Sequence, residues 1–352
     1  MPSHDIIVIG ASAGGVQALT ELIRELPADL PAAIFVVLHL GAGKSALPEI
    51  LTRAGSLPVG HPVHGEPIRR GRIYTAPPDR HLLVSNGRLL LERGAKENGH
   101  RPAIDVLFRS AAQAYGPRVV GMVLTGNLDD GTAGLLAIKR LGGVAVVQDP
   151  EEADYPGMPQ SAIENVEVDH VVRLTGVAPL LVQLTHEAVA QGPPGKAPPL
   201  PKESAMGARG NGNRANGGSG VAEELLGESG EDLGVASGFT CPDCGGGLWE
   251  SQDGALVRFR CHTGHAYSPE TLASNQAEGV DDALWAALRS LQENASLARR
   301  MAGRMHDRGL VQAETRYLER AFEAERYAAT LRGILLVPEP AKVEVGEAVE
   351  AR

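Results

Sequence analysis

The first half of this 352-residue sequence predicts an α/β fold: a doubly wound, mainly parallel sheet in an α/β/α sandwich. Two observations predict it. Continuous apolar runs of strand length alternate with helix-period segments across residues 5–190, and the first run ends in a glycine-rich turn that opens a helix. A third observation sets the remainder apart. All three cysteines lie between positions 241 and 261, beyond a stretch without periodicity, and two helical segments follow them.

The elements follow in order. Residues 5–9 are a short apolar run ending at Gly10, and Val16, Leu19, Leu22, Ile23 and Leu26 then recur at helical spacing. A second buried run, 33–38, leads straight into His39, and Leu47, Ile50 and Leu51 mark another helix. Polar-bounded strands follow at 72–76, 81–85 and 89–92, the last two forming a hairpin around Asn86-Gly87. Next come helix 103–114, strand 119–124, helix 132–141, strand 144–148, a helix near 158–165 and a strand near 170–174. Strands that are apolar throughout and separated by helices must be covered on both faces, which is the parallel arrangement.

From 191 to 238 the sequence dissolves into Gly, Pro, Ala, Ser and Asn, too little apolar surface to offset chain entropy, so a flexible linker is expected. The domain plan is therefore 1–190 for the sheet, 191–238 for the linker and 239–272 for a cysteine module. A helical hairpin occupies 279–336 and a disordered tail 337–352. In the hairpin, Leu284, Leu288, Leu291, Ala295, Ala298, Ala302 and Met305 step by four and three into one apolar seam, suited to hairpin packing or to self-association.

Composition excludes several classes. A formal charge of −10 argues against a general nucleic-acid binder, which needs a basic face. The start, MPSHDIIVIG, has no cationic n-region, and no stretch reaches the roughly 18 apolar residues of a membrane span. With clustered cysteines that do not resemble a disulfide framework, a soluble cytoplasmic protein is expected, with no membrane insertion.

Cys241-Pro-Asp-Cys244 and Cys261-His-Thr-Gly-His265 form a C-x2-C…C-x3-H set with sixteen residues between Cys244 and Cys261. Two tight turns facing each other supply the four ligands that tetrahedral Zn²⁺ takes, so a zinc ribbon is expected. His265 is the fourth ligand, because His262 adjoins Cys261 and would strain the chelate. Four protein ligands close the site, making the metal structural, and its binding would add on the order of 10 kcal/mol to the folding of a segment with little core.

The loop Gly10-Ala11-Ser12-Ala13-Gly14-Gly15 admits two functional readings besides a structural glycine turn. It could hold a pyrophosphate on its backbone N–H groups, or carry Ser12 as a nucleophile on a tight strand-to-helix turn. The second strand separates them. A dinucleotide fold places an acid at that strand's end, whereas here stands His39, a general base for Ser12. The strand 119–124 then ends in Asp129 and Asp130, either of which could orient the base or cap the next helix. Spacing does not choose between them. Parallel strands deliver their C-terminal ends to one crevice, so Ser, His and Asp converge there, and catalysis without a cofactor is expected.

These residues resemble the CheB-type protein-glutamate methylesterases of bacterial chemotaxis, over about residues 5–190. The matching blocks are IGASAGG, VVLHLG, APPDRHL, HRPAIDVLF, LTGNLDDGTAGLLAIKRLGG and PGMPQSAI. The resemblance implies Ser12 as nucleophile, His39 as base and, by register, Asp130 as the acid. It further implies an oxyanion hole from the backbone N–H groups of Ala13 and Asn127, where the family more usually has Thr and Met. The implied reaction is hydrolysis of a glutamate γ-methyl ester on a methylated chemoreceptor or similar signalling protein, releasing methanol, with glutamine deamidation as a second activity. The family's best-known members carry a receiver domain ahead of the catalytic one. This chain starts at the first catalytic strand, so no such lid is expected; the cysteine module and hairpin are absent from those members. A non-catalytic signalling adaptor on the same fold is the alternative function, with a dinucleotide-dependent oxidoreductase behind it. His61, His64, His81, His100 and His170 show no metal spacing and read as surface or structural residues, with His81 and the Arg101–Asp105 pair as candidates for the substrate groove.

Overall fold

The computed structural model of this chain describes residues 3–39, 43, 45–189, 234–254 and 256–336. Its first half runs β1 (Ile6–Ala11), α1 (Gly15–Glu25), β2 (Ala33–Leu38), α2 (Leu47–Ala54), β3 (Val59–Gly60), β4 (Arg72–Thr75), β5 (His81–Ser85), β6 (Arg88–Glu92), α3 (Ile104–Tyr115), β7 (Val119–Val123), α4 (Thr132–Arg140), β8 (Val144–Gln148), α5 (Gly157–Asn165), β9 (His170–Val172) and α6 (Leu174–His186). Seven strands form one parallel sheet in the order β3-β4-β2-β1-β7-β8-β9. The predicted α/β class is the observed one.

β1 and β2 are buried along their whole length, so alternate side chains serve two cores. Ile6 and Val8 join Ile104, Phe108 and Leu135 on one face, while Ile7 and Ile9 join Leu19, Leu22 and Leu181 on the other. The chain winds out from β1 to β2 and β4, then returns to pair β7 on the opposite side of β1. This reversal is the switch point, and the crevice outside the strand ends lies there. β5 and β6 pair as a separate antiparallel hairpin, turning through Asn86 (φ 47°) and Gly87 (φ 75°), the left-handed conformations that this dipeptide favours.

The sequence closes the unit near 174, and the structure adds α6, which buries Val177, Ala178, Leu181 and Leu184 against the sheet. Pro179 inside it is a helix-breaking signal that packing overrides.

Four further strands, β10 (Val235–Thr240), β11 (Gly247–Asp253), β12 (Leu256–Cys261) and β13 (Ala266–Tyr267), form an antiparallel sheet in that order. Its small core is Cys241, Leu248, Phe259, Cys261, Tyr267 and Leu272. The sequence treats 239–272 as a separate domain, yet Met1–Ala273 is one compact unit. Its contacts with the first domain are ionic and hydrogen-bonded, a kind that hydrophobic periodicity does not register. β10 begins within the expected linker; the rest of that linker, 191–233, and the tail 337–352 lie outside the described residues.

Helix α7 (Pro269–Asp307) starts ten residues before the hairpin expected from 279. Its start is marked locally: Ser268 Oγ accepts the Thr271 N–H at 3.0 Å and Pro269 takes the first helical position. In the second unit, from Ser274, α7 continues and α8 (Val311–Leu335) follows. Arg299 joins the two helices through a bidentate pair with Glu325 at 2.6 and 2.7 Å, and Ala295, Ala298, Ala302, Ala321, Ala324 and Ala328 are buried. Among the described residues, no helix is long and apolar enough to cross a membrane.

Candidate active site

Ser12 and His39 stand one residue beyond the ends of β1 and β2, and the parallel register pairs Ala11 with Leu38, so the two tips are neighbours. Backbone bonds fix both: the His39 N–H donates to Ala11 O at 3.2 Å, and the Ser12 N–H donates to Thr125 O at 3.0 Å. Thr125, at the tip of β7, also donates its hydroxyl to Ala13 O at 3.0 Å. The turn needs glycine at 14, where φ is +74° and a Cβ would meet Thr125 Oγ1 at 3.1 Å and Asp154 at 3.2 Å. It needs glycine again at 126, where a Cβ would lie 2.8 Å from the Ser12 Cβ.

The structure brings the three predicted side chains together. His39 Nδ1 is 3.2 Å from Ser12 Oγ, and His39 Nε2 is 2.8 Å from Asp130 Oδ2. An ionised carboxylate can only accept, so Nε2 carries the proton and Nδ1 is the acceptor for the serine hydroxyl. The two ring nitrogens are used in the opposite sense in chymotrypsin-type enzymes. His39 and Asp130 side chains are 6% and 4% exposed, so the relay is shielded from water, while Ser12 is half-buried and open to a substrate.

Of the two acids left open by spacing, Asp130 makes the contact. Besides His39, its Oδ2 accepts the Ile104 N–H at 2.7 Å, and its Oδ1 accepts Asn98 Nδ2 at 2.9 Å and the Asp105 N–H at 3.2 Å. Burial alone would raise this group, but the His39 hydrogen bond, the electrostatic influence of the His39 and His100 rings, which would be charged at the low pH where this carboxyl titrates, and the Ile104 N–H hold it well below the usual carboxylate range. Asp129 points elsewhere, accepting the Thr271 hydroxyl at 2.8 Å, and burial pushes it up to about 6.

Several contributors were not legible as such in the sequence. His100, read there as structural, stacks on His39 with ring centroids 3.6 Å apart; burial and the His39 charge bring it down to about 4, so it is neutral at pH 7. Asn98 and Asp105 stand behind Asp130, and an Asn-Gly-His run just before a helix start was the available signal. His81 is a scaffold: its Nε2–H donates to Ala95 O at 2.8 Å and Nδ1 accepts the Ala103 N–H at 3.2 Å. Arg101 pairs with Asp79, His61 bonds Thr75, and His64 bonds Leu91; none of these reaches the triad. Among the described residues the N–H groups of Ala13 and Asn127 have no protein acceptor.

Cys241, Cys244, Cys261 and His265 present ligand atoms all within 4.8 Å of one another. Cys244 Sγ lies 3.7 Å from Cys261 Sγ, and His265 Nδ1 lies 3.6 Å from Cys241 Sγ and 3.5 Å from Cys261 Sγ. A tetrahedral centre with Zn–S and Zn–N bonds of about 2.3 and 2.0 Å would separate its ligands by about 3.8 Å (S–S) and 3.5 Å (S–N). The donor set therefore fits a metal.

Comparison with known proteins finds relatives of the first half of the chain. The family model described as CheB methylesterase matches residues 7–181. A relative from Leptospira interrogans is 38% identical over 191 residues, which cover 54% of this chain and 99% of that protein. The protein-glutamate methylesterase/protein-glutamine glutaminase 2 of Anaeromyxobacter dehalogenans is 40% identical over 182 residues, 51% of this chain and 53% of that protein. The crystal structure of the Thermotoga maritima CheB methylesterase catalytic domain is similar at a TM-score of 0.50 and 35% identity, over 51% of this chain and 98% of that one. This chain belongs to the CheB methylesterase family.

Proposed function

We propose that this protein hydrolyses the γ-methyl ester of glutamate residues on a methylated chemoreceptor in the cytoplasm, with Ser12 as nucleophile, His39 as general base and Asp130 as the orienting acid. The observation that carries this reading is the unbroken chain of hydrogen bonds from Ser12 Oγ through His39 to Asp130. His39 Nδ1 takes the hydroxyl proton as Ser12 Oγ attacks the ester carbonyl. Asp130 stabilises the imidazolium that forms, and its ionisation is secured by its four donors.

The developing oxyanion is received by the N–H groups of Ala13 and Asn127, donors typically worth about 3–4 kcal/mol of the barrier. Backbone supplies both donors, so the departure from the family's usual Thr and Met leaves them intact. The imidazolium then gives its proton to the departing methoxide, and methanol leaves a glutamyl-Ser12 ester. Water, deprotonated by His39, attacks that ester; the imidazolium returns the proton to Ser12 Oγ as the C–O bond breaks, and the receptor's glutamate side chain leaves as a carboxylate. With glutamine in place of the ester the leaving group is ammonia, which is the glutaminase reaction.

Cys241, Cys244, Cys261 and His265 would hold a structural Zn²⁺, which would supply folding energy to the cysteine module without meeting the substrate. The C-terminal helices, with Leu297, Phe322 and Ile334 exposed, are the surface for self-association. Incubated with methylated receptor, the protein is expected to release methanol, and Ser12→Ala to release none above background; equal release by both would refute the mechanism.

A further inference from the structure

The groups that hold Asp130 from behind are not all supplied by the parallel-sheet domain. Asn98 Nδ2 donates to Asp130 Oδ1 at 2.9 Å and to Asp105 Oδ2 at 3.1 Å, while its Oδ1 accepts the N–H of Ser268 at 3.2 Å. Asp105 Oδ1 accepts the N–H groups of Gly131 and Gly134 at 3.0 and 2.7 Å, and so grips the segment that carries Asp130. Its other oxygen accepts Arg258 Nη1 at 2.8 Å. Arg258 belongs to β12 and Ser268 follows β13. Backbone bonds complete the clamp: the Asn98 N–H donates to Ala266 O at 2.7 Å, which fixes Asn98 in a left-handed conformation at φ 49°.

Charge makes the same point. Glu97, Asp105, Asp129 and Asp130 are all buried carboxylates. The guanidiniums beside them are Arg109, which binds Glu97 at 2.6 Å, and Arg258 and Arg260, which approach Glu97 at 3.5 and 3.8 Å. Both of the latter come from β12. Buried acids deprived of such partners take up protons or move towards water.

The metal ligands close this same hairpin. Cys261 ends β12, His265 immediately precedes β13, and the Cys261 N–H donates to His265 O at 3.0 Å. We infer that Arg258 is a positioning residue for the triad acid, and that metal at the Cys241–Cys244–Cys261–His265 site holds the β12–β13 hairpin that delivers it, so the esterase depends on a metal that never meets the substrate. This rests on the Ser12–His39–Asp130 reading above.

The test uses the full chain with p-nitrophenyl acetate, zinc content by a colorimetric chelator and the low-field proton resonance of the His39–Asp130 hydrogen bond. R258M is expected to keep KM and lose kcat by about 100-fold, with the resonance shifted or broadened; R258K, which keeps the charge, recovers much of both. Lys96→Ala, which breaks an exposed contact with Asp243 on the same module, leaves kcat unchanged. Withdrawing zinc lowers kcat and the resonance in proportion to the metal released, and both return when Zn²⁺ is restored. R258M with parental kcat and resonance would overturn the inference. Should R258M fail to fold, R258K and the stripped protein decide it: a zinc-free chain that keeps both readouts overturns it. Ser12→Ala separates the two levels. If it is inactive while R258M is parental, only the inference falls; if it remains active, the triad reading falls and the inference with it.

Discussion

Replacing Asp130 by Asn is nearly isosteric, yet the structure leaves the amide no satisfactory orientation. The carboxylate receives four donors, His39 Nε2 and the Ile104 N–H on one oxygen, Asn98 Nδ2 and the Asp105 N–H on the other. An amide offers one acceptor and one NH2 group. Placed towards His39, the NH2 faces two donors and can be satisfied only if Nε2 gives up its proton, which then sits on Nδ1 and blocks removal of the serine proton. Placed the other way, it opposes Asn98, whose own flip is resisted by the Ser268 N–H and by Asp105. The cheaper outcome is the wrong tautomer. The loss in kcat is expected to be about 10³ to 10⁴-fold, or about 4–5.5 kcal/mol of barrier. Methanol release from methylated receptor at saturating substrate reads it, with near-ultraviolet dichroism verifying the fold. A D130N enzyme within tenfold of the parent would refute the assignment of the acid and of the tautomer.

Three other outcomes follow from particular contacts. Gly126→Ala should cut kcat by at least about 10-fold while the protein still folds, because the added methyl collides with Met158 Sδ and, even once that flexible side chain gives way, lies 2.8 Å from the Ser12 Cβ; a fully active G126A would refute that. Asp129 is raised from 3.8 to about 6 by burial, so its ionisation increasingly destabilises the fold as pH rises from 3.8 to 6 and by a constant amount above. D129N should therefore gain up to about 3 kcal/mol at pH 7.5 and nothing near pH 3.8, measured by urea unfolding; equal gains at both would refute the cause. Glu97 behaves in the opposite sense. Burial opposes its ionisation, but the charges of Arg109, Arg260 and Arg258 outweigh it and bring the group from 4.5 to about 2. Its contribution, of order 3 kcal/mol, is complete above pH 4.5 and lost as pH falls towards 2, so Glu97→Gln should lack that acid-dependent portion.

Much of the catalytic half was legible because its signals are local. Strand-length apolar runs such as 33–38 and helix-period leucines report burial on two faces, and residues at strand ends inherit a common edge from parallel pairing. That logic places Ser12 and His39 side by side from sequence. It could not separate Asp129 from Asp130, since neighbours at a loop tip share the same local pattern; the family resemblance and then the four donors around Asp130 distinguish them.

The sequence by itself determined the parallel α/β class, the strand tips that carry Ser12 and His39, and the spacing of Cys241, Cys244, Cys261 and His265. Tertiary structure alone decided which nitrogen of His39 faces Ser12, that His100 lies flat against that ring, and that Arg258 reaches Asp105 across 153 positions of sequence. The physical reason is the range of the interactions. Hydrophobic periodicity repeats within a few residues and so is written along the chain. A buried ion pair or a shared hydrogen bond depends on one atom of each partner arriving at one place, and only the folded chain specifies that.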